Sequence, residues 1–337
     1  MLEIIPQIIL SLAPVLLFLA GLVLLDSFKL VRLRSILIAI GVGGLAAFAS
    51  LVVNTWLVDL LPLRGMSYSR YVAPVVEEVF KAVYLVYLIR TKKVGFLVDA
   101  ALFGFAIGAG FALVENVVYL RSMLHASLFV WAIRGFGTAV MHGGTTAMFA
   151  VLAKNRSDVK SSEALHVVLP GLLVAVAVHS FFNHFFLPPA YMTIVILIVL
   201  PAALLLVFKR SEQATREWLG VGLDTDVELL RLITEGGVSN TKIGTYLRSL
   251  ESRFRGEVLA DMLCYLRVHL ELSVKAKALL LMRSAGFDPP PDPEVEAQLK
   301  ELEFLERSIG QTGKFLMNPF LRLTSRDLWQ LHMLTQR

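Results

Sequence analysis

The stretch Tyr71-Val-Ala-Pro-Val-Val-Glu-Glu-Val-Phe-Lys-Ala-Val-Tyr-Leu-Val-Tyr-Leu-Ile89 reads as a membrane-spanning segment except at Glu77, Glu78 and Lys81. A charge at the centre of a membrane helix costs roughly 2.5–3.5 kcal/mol on insertion scales. Two carboxylates and an ammonium within one helical turn therefore need a strong reason to be there. An intramembrane ionisable residue is read first as part of a functional site. Glu77 and Lys81 are four apart and so share a helix face, although Glu78 is also within reach of Lys81.

The surrounding chain supports a membrane setting. It has 337 residues, 56% of them hydrophobic, and a mean hydropathy of +0.68, too apolar for a soluble globular protein. The charges are uneven: residues 1–208 carry 14 Lys/Arg and 9 Asp/Glu, whereas residues 209–337 carry 18 of each. These are two regions, a membrane body (1–208) and a charged but balanced tail (209–337). The net +5 comes from the body. It fits basic loops beside membrane spans and not nucleic-acid binding. The lone Cys264 allows no intramolecular disulfide, in keeping with a cytoplasmic tail. Met1-Leu-Glu-Ile-Ile-Pro6 lacks a basic n-region and is read as the start of a retained first helix.

Seven candidate spans of suitable length follow, at about 4–25, 35–60, 71–89, 95–120, 128–153, 165–187 and 190–208. The last two lie in a run from Ala164 to Phe208 without Asp, Glu, Lys or Arg, divided by Pro188-Pro189. The fold class is all-α, a polytopic transmembrane bundle with a helical C-terminal region. Basic residues collect in alternate loops: Lys29, Arg32 and Arg34; Arg90, Lys92 and Lys93; Lys154, Arg156 and Lys160; Lys209 and Arg210. The positive-inside rule then places the N-terminus outside and the tail in the cytoplasm. The expected location is a prokaryotic cell membrane.

The further polar residues singled out within spans are Glu115 and Asn116, Arg134 and His142, and His179, Asn183 and His184. At 1.5 Å per residue, Glu77 lies roughly 9 Å in from Tyr71, Glu115 roughly 8 Å from Leu120, His179 roughly 12 Å below Leu187, and His142 roughly 16 Å deep. Four helices of alternating direction thus bring polar residues into one slab of the outer half of the bilayer. Structural polar residues scattered at random would not agree in depth. Arg134, Thr138 and His142 form a stripe at i, i+4 and i+8, and His179 and Asn183 share a face. Gly104 and Gly108, and the cluster Gly41, Gly43 and Gly44, read as points of close helix packing.

A carboxylate near neutral pH can act as a general base, and histidine or asparagine can donate to a developing oxyanion. These are the parts for hydrolysing an amide bond. No H-E-x-x-H occurs, yet Glu115, His142 and His179 could together hold a catalytic zinc. A proton-coupled transporter would also use such groups, but transporters of that kind often show internal repeats and none is evident here.

Glu77-Glu-Val-Phe-Lys81, Phe111-Ala-Leu-Val-Glu-Asn-Val-Val-Tyr119, His142-Gly-Gly and His179-Ser-Phe-Phe-Asn183 resemble the successive motifs of the PrsW intramembrane proteases, relatives of the CAAX-prenyl-protease-like membrane proteins. The resemblance covers about residues 71–187. It implies an intramembrane endopeptidase acting on a membrane-anchored protein, with extracytoplasmic cleavage of an anti-sigma factor as the best-known example. It implies Glu77 or Glu78 as the base, with His142, His179 and Asn183 in supporting roles; Lys81 and Arg134, from the residues themselves, read as charge partners and not reacting groups. Glu115 stands where the CAAX-type relatives carry a histidine, which leaves its role open as a second carboxylate or an orienting group. The mechanism expected is a glutamate mechanism without a cofactor, zinc being the alternative. A non-enzymatic protein, either a transporter or a helix-binding pseudoprotease, is the competing class.

The tail reads as helices near 224–236, 240–252, 255–285 and 294–308, with Asp288-Pro-Pro-Pro-Asp-Pro293 as a rigid break. It carries no catalytic motif. It is a helical appendage or a docking module for a cytoplasmic partner, and the family resemblance does not reach it.

Overall fold

The structure, a computed structural model, describes residues 4–123, 125–159, 164–287, 289–290, 292–321 and 325–335. Met1 to Glu3, the basic-loop residue Lys160, and Asp288 and Pro291 of the proline break lie outside the described residues. Among the described residues there is no strand. The helices are α1 (Ile5–Leu24), α2 (Leu33–Leu60), α3 (Met66–Tyr71), α4 (Ala73–Arg90), α5 (Leu97–Ser122), α6 (Leu128–Ala132), α7 (Ala139–Val159), α8 (Ala164–His184), α9 (Pro189–Thr234), α10 (Lys242–Ser249), α11 (Gly256–Ser284), α12 (Glu294–Leu321) and α13 (Ser325–Thr335). A π turn, Ile133–Thr138, joins α6 to α7. Two compact units result, Met1–Glu212 and Gln213–Arg337.

Among the described residues six helices are long and apolar enough to cross a membrane: α1, α2, α5, α6 with α7, α8, and α9. The helix expected as a third span, α4, is not among them. It has 18 residues and carries Glu77, Glu78, Lys81 and Arg90, so it depends on its neighbours α2, α5, α7 and α8 to cover its charges. The last span and the first tail segment, expected as separate helices, form the single 46-residue α9. No proline follows Pro201 in it, and the charged residues after Phe208 are good helix formers. A change from apolar to charged composition marks a change of environment, not a helix end.

In the first unit α5 is central, with every residue from Val98 to Ala112 buried. Its sequence is rich in Gly and Ala, so flanking backbones approach closely. A Cβ on Gly108 would overlap the His142 carbonyl and Gly143, and one on Gly104 would overlap Thr146 and Ala147. On the other side Gly43 of α2 meets the Ile107 carbonyl, and Gly110 meets that of Ile40. Large apolar side chains on the periphery remain exposed, as at Leu17, Leu45, Phe48 and Ile198, which suits a lipid-facing surface. Gly108→Val is expected to wedge α7 away from α5. Overpacking of this kind costs about 1–3 kcal/mol, and the melting temperature of the purified protein should fall. A variant that melts like the wild type would contradict the close α5–α7 contact.

The second unit packs α11 against α12 and α13. Asp292 Oδ1 accepts from Glu294 N at 2.9 Å and so caps α12. Gly310, at φ 64, kinks that helix. Lys277 is buried and bonded to Asp226 Oδ2; Ser273 donates to the same oxygen at 2.5 Å and accepts from Gln330 Nε2 at 2.9 Å. His269 is buried and its Nδ1 has no partner among the described residues. Burial drives its pKa down to about 4, against the opposing pull of Asp327, Asp226 and Glu306 and with the help of Lys277. The unfolded chain therefore binds a proton between about pH 6.5 and 4 that the folded unit refuses. Stability should fall as pH drops through that window, by about 3 kcal/mol in all. Hydrogen exchange of α11 in the full-length protein should report this loss, and His269→Gln should flatten it.

Candidate active site

The polar residues of α4, α5, α7 and α8, with Arg134 of the π turn, come together. Glu78 is fully enclosed, and its Oε1 receives Lys81 Nζ at 2.6 Å, His179 Nδ1 at 2.8 Å and Thr145 Oγ1 at 3.2 Å. Lys81 also reaches His142 Nδ1 at 3.0 Å and lies over the Phe111 ring. The expected preference of Lys81 for Glu77 is corrected: the i, i+3 pair with Glu78 forms instead. Glu78 points into the wedge between α4, α7 and α8, where His142, Thr145 and His179 supply further donors, so the ammonium follows it inward.

These contacts fix the histidine tautomers. An ammonium only donates, so His142 Nδ1 accepts from Lys81 and its Nε2–H donates to Glu115 Oε2 at 3.0 Å. The Glu78 carboxylate accepts, so His179 donates from Nδ1, and in the neutral ring Nε2 carries the lone pair. That nitrogen faces Glu77 Oε2 at 3.8 Å. The two imidazole rings meet edge to face at 4.8 Å between centroids. The side chains of Glu77 and Glu115 are 16% and 25% exposed, against 1% for Glu78. The two more open carboxylates thus flank the histidines and the closed one lies behind them.

The structure joins Glu77, Glu78, Lys81, Glu115, Arg134, His142 and His179 in one network. Arg134 contacts Glu115 Oε1 at 3.5 Å and Asn116 Oδ1 at 3.0 Å. Asn183 does not join it. One turn beyond His179, its amide donates to the Ser69 carbonyl at 3.0 Å, while Ser180 donates to the Arg70 carbonyl at 2.6 Å. The end of α8 thus holds α3. Thr145 was missed by sequence reasoning; its place three residues after His142 in a buried span was the available signal.

Ligand atoms of Glu77, His142 and His179 lie within 4.8 Å of one another. Among the described residues this trio, and not Glu115 with the two histidines, forms a group compact enough for a metal ion; Glu115 is instead bonded to His142 and paired with Arg134. The donor set fits a divalent ion. His179 presents an Nε2 lone pair with its other nitrogen held by a carboxylate, the usual support of a metal-bound imidazole. His142 is engaged at both nitrogens, by Lys81 and by Glu115, and would have to give up one of these bonds to ligate.

A family model described as PrsW family intramembrane metalloprotease matches residues 32–208. The chain belongs to the PrsW family. No curated protein and no solved structure gives a match. The match takes in every residue of the network. As a PrsW protein the chain is an integral membrane protein and a membrane peptidase, and its substrate is itself a membrane protein.

Proposed function

We propose that the protein is an endopeptidase that hydrolyses a membrane-anchored protein with Glu77 as general base. The observation that carries this reading is the division of labour between the adjacent glutamates. Glu78 Oε1 takes three hydrogen bonds, whereas Glu77 has no partner among the described residues closer than His179 Nε2 at 3.8 Å. A water between those two groups would donate to both. Glu77 takes its proton as the oxygen attacks the scissile carbonyl carbon, then returns it to the leaving amide nitrogen. Glu78 keeps His179 in the accepting tautomer, and Lys81 beneath them supplies positive charge.

A second reading is favoured by the compact trio and by the family's description as metalloproteases. Glu77, His142 and His179 would hold a divalent ion, which would supply Lewis-acid polarisation of the carbonyl. Glu77 then anchors the ion, and Glu115 is the carboxylate left to take the proton.

The basic loops support a cytoplasmic C-terminal unit and a site nearer the outer face. That topology suits an anti-sigma factor cut on its extracytoplasmic side. The test is cleavage of single-span substrates, anti-sigma factors included, by purified protein in proteoliposomes, with metal content measured before and after chelation. Cleavage that survives chelation supports the first reading. A stoichiometric metal lost together with activity selects the second. Proton movement without any cleavage would replace both with a transporter.

A further inference from the structure

Resting on the proposed hydrolytic role of the site, we infer that Arg134 is a positioning residue, delivered by the π turn Ile133–Thr138 to hold Glu115 against His142. At about 100° per residue, positions eight apart on an unbroken α-helix diverge by about 80°. A π turn takes in one residue more than an α turn, which brings Arg134 and His142 to within about 20° of one face. The simple i, i+4, i+8 stripe is therefore not what aligns them; the wide turn is. Such turns recur at functional sites.

Arg134 is anchored on arrival. Its Nε donates to Asn116 Oδ1 at 3.0 Å, and the Asn116 amide is in turn fixed to the Ser11 carbonyl of α1 at 2.7 Å. Its guanidinium lies 3.7 Å over the Tyr119 ring. One terminal nitrogen, buried and without a hydrogen bond, sits 3.5 Å from Glu115 Oε1. Glu115 is the most open carboxylate of the network, so its orientation depends on the groups that hold it. Held by Arg134 on Oε1, it presents Oε2 to His142 Nε2 at 3.0 Å. Lys81 fixes the opposite nitrogen of the same ring. His142 is thus clamped from both sides, and Arg134 is the outer jaw acting through Glu115.

The test uses full-length protein in proteoliposomes with two readouts. Arg134→Ala should lower kcat about 10- to 100-fold, the usual effect of losing a partner that orients a site histidine, with KM changed less than about threefold. Guanidinium ion should restore part of the loss. Arg134→Lys, which keeps the charge but cannot bridge Asn116 and Glu115 together, should remain well below wild type and covers the case in which the alanine variant does not fold. Independently of activity, the ¹⁵N signature of the His142 Nε2–H tautomer, assigned with His142→Gln, should be present in the wild type and lost or averaged in the folded Arg134 variants. A folded Arg134 variant that keeps either the wild-type kcat or that tautomer signature overturns the inference. If the wild type cleaves no substrate, the hydrolytic reading fails and the tautomer measurement alone decides the role of Arg134.

Discussion

Glu77→Gln is expected to leave the protein folded and to lower the cleavage rate by at least about 10²- to 10⁴-fold, the range supplied by a positioned general base. The two halves of this expectation have separate causes. The fold survives because Glu77 makes no ion pair with a Lys or Arg among the described residues; the partner facing it is His179 Nε2, at 3.8 Å. Neutralising it strands no buried partner. Activity is lost because an amide cannot take the proton of water, and it makes a poor ligand if the second reading holds. Glu77→Asp separates the alternatives further. It keeps the charge but withdraws it by one methylene, so some activity should remain. Substrate binding should change little in either variant, so the loss should fall on kcat. Cleavage by Glu77→Gln at the wild-type rate would remove Glu77 from both roles and point to Glu115.

Much of this arrangement is legible in the sequence because membrane burial makes charge costly. Glu77, Glu78, Lys81, Glu115, His142 and His179 stand out against apolar surroundings, and their similar depths in different helices foreshadow a shared centre. The pairing within that centre is not legible. Lys81 can reach back three or four residues with equal ease, and its choice of Glu78 is made by His142, Thr145 and His179 on other helices. His179 and Asn183 share a face, yet one turn of α8 takes Asn183 from the network to the backbone of α3. The π turn is not legible either: Gly135 lies against the Leu10 carbonyl and Gly137 against Thr193, contacts with distant helices that the local sequence does not name. Helix continuity through residue 212 is likewise hidden, since hydropathy reports the solvent of a segment and not its backbone.

Glu78→Gln should behave in the opposite way to Glu77→Gln, by damaging the fold first. Lys81 is fully buried and its ammonium pairs with Glu78 at 2.6 Å, with side-chain exposures of 0% and 1%. Removing one partner of a buried pair leaves an uncompensated charge, at a cost of about 3–5 kcal/mol. The His142 Nδ1 lone pair and the Phe111 ring face that ammonium, but neither carries a full opposing charge. Glu78→Gln and Lys81→Met should therefore each lower the melting temperature and the yield of folded protein. The double variant Glu78→Gln/Lys81→Met removes both charges while roughly keeping their volumes, and should regain most of the lost stability. That recovery is the sign of coupling across the pair. It should not bring back full activity: the side-chain amide introduced by Glu78→Gln can still accept the His179 Nδ1–H, but His142 has lost the donor that fixed its ring. If instead Glu78→Gln melts like the wild type while losing all cleavage, then Glu78 is not the buried counter-ion. The assignment of structural and reactive roles to the two adjacent glutamates would have to be reversed.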